Sequence, residues 1–492
     1  MKGLREKLFK ISNLKFVVAF LVPAILILCL NQNLDNDSWY VLSEGREIAE
    51  NGVYYTDQLS MHEGLNITVQ NYGFATIFYY VHQTFGAAGI YLGMLILNFV
   101  VCFWLYKICH LISNKNANLS LIIMVVTDCL LALSFVVTRA QMVSFGIFLA
   151  LIYILELYIK TNKAKYLLWV PLLSVLQVNL HASLWPMLPI VIGVYLIDSI
   201  RKPILRTQGY RSLPLIIVLV AVVLVGLLNP YGIKMLTFIF TSYGNPRFNS
   251  MVKELLPYAP LTNLFSIFIY MALCAVIFLY AFGEKKNVRV RYLLLLFGFL
   301  LLGLNTVKGL SQFVLVLFFP LALVYKDVHP ERLIDFRPAK NALMLWVGAI
   351  AIASFAIVCP VVVANVADYP NEESVSAVDA IDADGALEKD HLKVYTGYND
   401  GGYLEWRGYK PYLDPRGEVF LKKNNGKEDI LYEWDDLRNG TFSTASLIEK
   451  YNFDYIFSHS NHDPFYNLND ARYELIFNDD TYTAKVFKRV AE

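Results

Sequence analysis

The residues best suited to chemistry lie in short stretches between long apolar runs. Residues 32–87 carry Asp35, Asp37, Trp39, Arg46, Asp57, His62, Gln70 and Tyr72. Arg139 and Gln141 follow one later apolar run, Asn179 and His181 end another, and Asn229-Pro230-Tyr231-Gly232 ends a third. Lys308 sits between two more. A carboxylate can take a proton from a hydroxyl or orient it. Cations can hold phosphate oxygens as charge develops on them. Each residue also has a plainer role: Asp35 and Asp37 in a solvated loop, Arg139 reaching to headgroups, His181 as a satisfied interfacial histidine, Trp39 and Tyr72 in an aromatic belt. Ionisable groups near membrane depth are costly and usually mark a site, and their gathering on one side of the apolar runs favours the functional reading.

The elements that must position them follow from composition. The 492-residue chain is 56% hydrophobic and 17% charged, against about 25% charged in an average soluble chain. Its mean hydropathy is +0.46. These values exclude a soluble enzyme, a disordered chain and a nucleic-acid binder. The net charge of +1 averages two unlike parts: residues 365–492 hold 25 acidic and 14 basic side chains, and the preceding part holds 16 and 28. Cys29, Cys102, Cys109, Cys129, Cys274 and Cys359 all lie in or beside apolar runs and form no CxxC pair, so neither a zinc site nor a disulfide framework is expected.

A helix needs about 20 apolar residues to cross the hydrocarbon. Eleven spans are expected, near 13–31, 88–108, 118–137, 141–159, 166–181, 184–200, 212–229, 261–282, 291–307, 310–326 and 341–363. The first lacks a small-x-small cleavage pattern and reads as a span, not a removed signal. Six basic clusters, from Lys2–Lys10 through Arg201–Arg211 to Lys326–Lys340, fall on alternate connections. The positive-inside rule makes these cytoplasmic, which puts the N-terminus inside and the acidic tail outside. Residues 72–86 are short and contain His82 and Gln83, so a helix lying at the outer surface is expected there.

In these stretches the sequence resembles the polytopic bacterial glycosyltransferases of the GT-C superfamily, in the branch with a C-terminal extracytoplasmic domain. The resemblance rests on an ordered set: Asp37-Ser38-Trp39-Tyr40 with Gly45, Ile48, Gly52, Asp57 and Ser60; Arg139-Ala140-Gln141, where the branch usually reads Arg-Pro-Gln; Asn179-Leu180-His181-Ala182; Asn229-Pro230-Tyr231-Gly232; and Tyr398-Asn399-Asp400-Gly401-Gly402-Tyr403-Leu404 with Leu413-Asp414-Pro415-Arg416. It implies transfer of a sugar from a polyprenyl-phosphate carrier to a glycan, lipid or protein acceptor at the outer face, with an acidic residue of the first outer loop as base. Asp37 then stands as the base, with Asp57 next in line. Arg139, His181 and Lys308 become contacts for the departing phosphate, and Asp35, Trp39, Gln70, Tyr72, Gln141 and Asn179 line the substrate site. No cofactor is implied, although Asp35-x-Asp37 offers hard oxygen ligands to a divalent cation.

The expected architecture is an all-α polytopic GT-C-like domain over residues 1–364, with its catalytic first outer loop at 32–87, and a small α/β extracytoplasmic domain over 365–492. In the tail, helices are expected at 374–387 and 444–451 and strands at 392–395, 410–413, 455–457, 473–478 and 484–488, the last two as a hairpin. Residues 398–403 read as a Gly-rich turn, without the spacing of a nucleotide-binding loop. That turn, through Asp400, and the Asp414–Arg416 stretch form a second candidate contact for the acceptor. The expected setting is the cytoplasmic membrane of a bacterium, with membrane lipids, a lipid-linked donor and an acceptor as partners and no nucleic acid. Two other readings stay open: a transporter or flippase of lipid-linked sugars, which would normally show internal repeats and midplane polar residues, and an oligosaccharide ligase.

Overall fold

The structure is a computed structural model and describes residues 11–200, 209–242, 244–256, 271–273, 276–277, 289–328, 337–385, 388–479 and 484–490. The chain is largely helical with a small C-terminal mixed sheet. Among the described residues, five helices are long and apolar enough to cross a membrane: Tyr72–Ile112, Gln141–Thr161, Ala182–Ser199, Val307–Val324 and Leu345–Ala364. Shorter apolar helices run over Leu14–Leu30, Ala117–Ala132, Ala164–Leu180, Leu213–Gly226 and Val290–Asn305. Each expected span has its counterpart here except 261–282, which lies largely outside the described residues. So do the basic connections at 201–208 and 281–288. Residues 72–86 are helical as expected but belong to the Tyr72–Ile112 helix, whose geometry is interrupted at Gly86, φ 63°. That left-handed backbone is one that glycine adopts without steric cost.

Residues group into two compact units. The first takes the described parts of Met1–Gln32, Tyr91–Asn229 and Pro246–Val366. Its apolar helices pack closely where small residues allow. A Cβ on Gly348 would lie 2.5 Å from Leu14, and one on Gly226 would lie 2.8 Å from the Trp185 ring. Several buried polar groups are paired, which offsets their cost where water is absent. Trp185 Nε1 donates to Ser174 Oγ at 2.8 Å, and Ser174 Oγ donates to the Val222 carbonyl at 2.8 Å. Arg291 donates to Glu156 at 2.7 and 3.0 Å and to Asp198 at 3.1 Å, joining three helices through one buried cation.

The second unit takes Asn33–Ile90, Pro230–Asn245 and Ala367–Glu492, so the first loop and the acidic tail fold around a common core. The tail holds a five-stranded sheet in the order β2-β1-β3-β5-β4, with β1 Lys393–Tyr395, β2 Lys410–Pro411, β3 Tyr455–His459, β4 Tyr473–Asp479 and β5 Ala484–Arg489. β1 pairs in parallel with β2 and β3, whereas β5 is antiparallel to β3 and β4. Parallel neighbours need crossover connections, supplied here by the short helices Gly401–Trp406, Ile430–Arg438 and Thr444–Tyr451. Asn371 and Ser443 cap helices Glu372–Ala383 and Thr444–Tyr451 by accepting from Ser374 N and Ser446 N, the usual remedy for orphan amides at a helix start.

Residues 398–403 differ from expectation: the helix Gly401–Trp406 begins inside them. The two glycines are there for space. A Cβ on Gly401 would sit 2.0 Å from the Leu413 carbonyl oxygen, and one on Gly402 would sit 3.0 Å from Tyr40 N. The motif therefore brings a short tail helix hard against helix Ser38–Asn51 of the first loop.

Candidate active site

Asp35 and Asp37 lie just after helix Ile11–Leu30, in a tight turn that opens helix Ser38–Asn51. Asp35 Oδ1 accepts from Asp37 N at 3.0 Å, and Ser38 N donates to the Asp35 carbonyl at 2.9 Å. Asp37 stands at the N-cap position, yet its carboxylate makes no capping hydrogen bond. Both aspartates are half-buried. Between them, Asn36 Nδ2 donates to the Asn399 carbonyl at 2.7 Å, so the tail motif grips the turn that carries the carboxylates. Trp39 is fully buried and meets Tyr403 edge-on at 5.5 Å, which makes it an anchor of that contact.

Behind the turn lies a buried charge cluster. Arg416 Nη1 donates to Asp57 Oδ1 at 2.8 Å, Nη2 to Glu405 Oε1 at 2.7 Å, and Nε and Nη2 to the two oxygens of Asp414 at 2.9 and 2.7 Å. Glu44, about two helical turns on from Asp37, is buried beside this group, and its Oε2 has no hydrogen-bond partner among the described residues. Burial pushes the Glu44 carboxyl up to about 8. Burial likewise pushes Glu405 well above the carboxylate range, against the pull of Arg416. At Asp57 burial also acts upward, but Arg416 and the Ser60 hydrogen bonds outweigh it and hold the carboxyl below its ordinary value. Three carboxyls thus share one guanidinium, with Glu44 buried as a fourth beside them. Asp57, Asp414 and Arg416 are spent on each other inside this cluster.

The other tail and loop residues are similarly engaged. Asp400 Oδ1 accepts from Ser374 Oγ at 3.0 Å and pairs with His459 Nδ1 at 2.7 Å. Gln70 Nε2 donates to Glu418 Oε1 at 3.2 Å. Tyr72 opens the Tyr72–Ile112 helix and is half-buried. His62 is half-buried, donating from Nε2 to the Tyr412 carbonyl at 2.8 Å among the Tyr412, Phe420 and Tyr451 rings.

In the first unit, Arg139 Nη1 meets Glu254 Oε1 at 2.5 Å, and Lys308 Nζ lies 3.6 Å from Glu254 Oε2. Two predicted cations therefore converge on one carboxylate that the sequence reading did not single out. Burial raises the Glu254 carboxyl, but Lys308 and Arg139 prevail and bring it below its ordinary value. His181 is buried with both ring nitrogens taken, Nδ1 by Ser144 Oγ at 2.7 Å and Nε2 by Ser183 Oγ at 2.8 Å. Gln177 completes the network by donating to Ser144 Oγ and the His181 carbonyl. Asn179 Nδ2 donates to the Val175 and Leu228 carbonyls. Gln141 is buried and its Nε2 lacks a partner among the described residues. Among the described residues no group of three or more His, Cys, Asp or Glu side chains is arranged to hold a metal ion.

No protein-family model and no curated protein sequence matches the chain. Solved structures do. The archaeal oligosaccharyltransferase AglB from Archaeoglobus fulgidus, in complex with an inhibitory peptide and a dolichol-phosphate, superposes with a TM-score of 0.60 at 11% identity, over 90% of this chain and 69% of that one. The Archaeoglobus fulgidus oligosaccharyltransferase tethered to an acceptor peptide containing the NVT sequon gives a TM-score of 0.55 at 11% identity, over 91% and 69%. The chain therefore has an AglB-like fold: a bundle of apolar helices followed by a small mixed-sheet domain.

Proposed function

We propose that the chain is an integral-membrane glycosyltransferase of the GT-C type, which moves a sugar from a polyprenyl-phosphate carrier to an envelope glycan, lipid or protein acceptor on the outer face of a bacterial cytoplasmic membrane. The observation that carries this reading is the AglB-like fold over nine-tenths of the chain. Asp37, immediately behind the first apolar helix and half-buried in the turn that opens helix Ser38–Asn51, is the base. It takes the proton of the acceptor hydroxyl as that oxygen bonds to the anomeric carbon. The anomeric carbon–phosphate oxygen bond breaks, and the electron pair leaves with polyprenyl phosphate. Arg139 and Lys308, held ready by Glu254, meet that growing charge. Asp57 supports the loop through Arg416, and His181 braces a helix end.

The solved relatives are oligosaccharyltransferases, which supports a second reading: transfer of a preassembled oligosaccharide. Both readings are tested by incubating the purified protein with a panel of polyprenyl-phosphate sugars and oligosaccharides and following polyprenyl-phosphate release. Release with a single-sugar donor supports the first, and release only with oligosaccharide donors supports the second. No release with any donor would favour a transporter.

A further inference from the structure

A cleft of about 240 Å³ opens within the second unit. Three stretches distant in sequence build it: Asn66 from the first loop, Lys234 and Thr237 from helix Ile233–Ser242, and Glu418, Lys423 and Asn424 from the tail. Its size falls just under the ~300–1,000 Å³ usual for small-molecule pockets, which suits one substituted sugar unit better than an extended chain.

The walls are held in place by the fold. Asn66 donates from N and Nδ2 to the Asn425 carbonyl at 3.1 and 3.0 Å. Asn424 Nδ2 donates to the Glu418 carbonyl at 2.9 Å and to Ser242 Oγ at 3.3 Å. Asn425 Nδ2 donates to the Val419 and Glu428 carbonyls, closing the 418–428 loop on itself. Glu418 is steadied by Gln70. A pre-formed wall reduces the ordering cost of binding.

The cations differ. Lys234 and Lys423 are both exposed on the cleft wall, and neither has an ion-pair partner among the described residues. Elsewhere in the tail, lysines such as Lys389, Lys450 and Lys488 are paired with carboxylates. Two ammonium groups without an ion-pair partner among the described residues line one cleft of mixed character, with amides, a hydroxyl and a carboxylate beside them and Ile67, Phe238 and Val419 as apolar wall, a set that suits a ring with hydroxyls and an acidic group.

We propose that this cleft binds an anionic saccharide unit, a uronic acid or a phosphate-substituted sugar. Lys234 and Lys423 take the acidic group, and Thr237, Asn424 and Glu418 take ring hydroxyls. That the unit belongs to the acceptor rests on the glycosyltransferase reading; the binding itself does not.

The test uses the full chain in nanodiscs and three probes: a disaccharide ending in glucuronic acid, glucose 6-phosphate, and the neutral disaccharide of the same linkage. Titration calorimetry at low salt should show at least one acidic probe binding about tenfold more tightly than the neutral one, with the preference fading as salt rises. Which acid wins distinguishes carboxylate from phosphate. The double variant Lys234→Gln/Lys423→Gln should keep its thermal midpoint, since both side chains are exposed, and lose the preference. Equal binding of acidic and neutral probes, no binding of any probe, or a preference retained in the double variant would each overturn the proposal. If no donor in the polyprenyl panel is turned over while the binding pattern stands, only the glycosyltransferase reading fails.

Discussion

The Arg416 guanidinium lies 2.8 Å from the carboxylate of Asp57, a residue 359 positions earlier, and both side chains are buried. This pair ties the loop behind the first apolar helix to the far end of the chain. It sits among Glu44, Glu405 and Asp414, so the loop turn bearing Asp35 and Asp37 is braced by the tail. The tail therefore serves the proposed chemistry through position: it holds the first loop in one shape.

Breaking a buried ion pair leaves an uncompensated charge and costs about 3–5 kcal/mol. Arg416→Met should lower the thermal midpoint of the purified protein sharply and expose the tail to protease. Arg416→Lys should rescue little, because an ammonium cannot reach three carboxylates in the forked geometry seen here. A wild-type midpoint in Arg416→Met would show that the cluster does not hold the unit together.

The apolar helices were legible in the sequence because their signal is local: runs such as 141–159 and 341–363 state their own length and apolar character. The tail strands and the closing hairpin were legible for the same reason. The Asp57–Arg416 contact was not, since it depends on pairing across most of the chain and neither residue carries a spacing signal. Glu254 escaped notice because it lies alone between apolar runs and gains meaning only beside Arg139 and Lys308. Gly401 and Gly402 read as turn residues, whereas the structure uses them for close backbone approach, and composition alone does not separate these uses. Glu44 was visible only as one more acidic residue of the first loop, with nothing local to announce its burial.

Glu44 makes the fold sensitive to pH. Its carboxyl is raised from 4.5 to about 8 by burial, so the folded state binds a proton that the unfolded chain releases. Its contribution is fully present below about pH 4.5 and erodes as pH rises through about 8, by up to on the order of 5 kcal/mol. Glu44→Gln removes the ionisation and should flatten the fall in thermal midpoint between pH 5 and 8 relative to wild type. Parallel pH profiles for the two proteins would show that Glu44 is not the group responsible.

Asp37→Asn is nearly isosteric and deletes only the charge. A lost general base costs about 10²–10⁴ in rate, so transfer should drop by that factor while the thermal midpoint holds. Asp57→Asn should differ in kind, losing activity together with stability, because Asp57 is partnered to Arg416. Near-normal turnover in Asp37→Asn would remove it as the base.

The orientation is tested through Asn461, an exposed residue after β3. In a cysteine-free background, Asn461→Cys should react with a membrane-impermeant thiol reagent in intact cells. Labelling only after the membrane is opened would place the tail inside and overturn the outer-face reading.

Arg139 offers the sharpest test of the phosphate contact. Its guanidinium meets Glu254 Oε1 at 2.5 Å while Lys308 lies 3.6 Å from the other oxygen of the same carboxylate. A planar fork can grip phosphate on two oxygens, whereas an ammonium is a point charge. If Arg139 serves only to place a positive charge near headgroups, Arg139→Lys should keep both folding and turnover. If it clamps the departing phosphate, Arg139→Lys should fold normally yet turn over at least tenfold more slowly at saturating donor, because the interaction matters most as charge develops. Glu254→Gln separates positioning from stability. It leaves both cations in place but without their shared anchor, so the donor KM should rise more than kcat falls. Wild-type kinetics in Arg139→Lys, at saturating and limiting donor alike, would take Arg139 out of the site and leave its pairing with Glu254 as a purely structural tie.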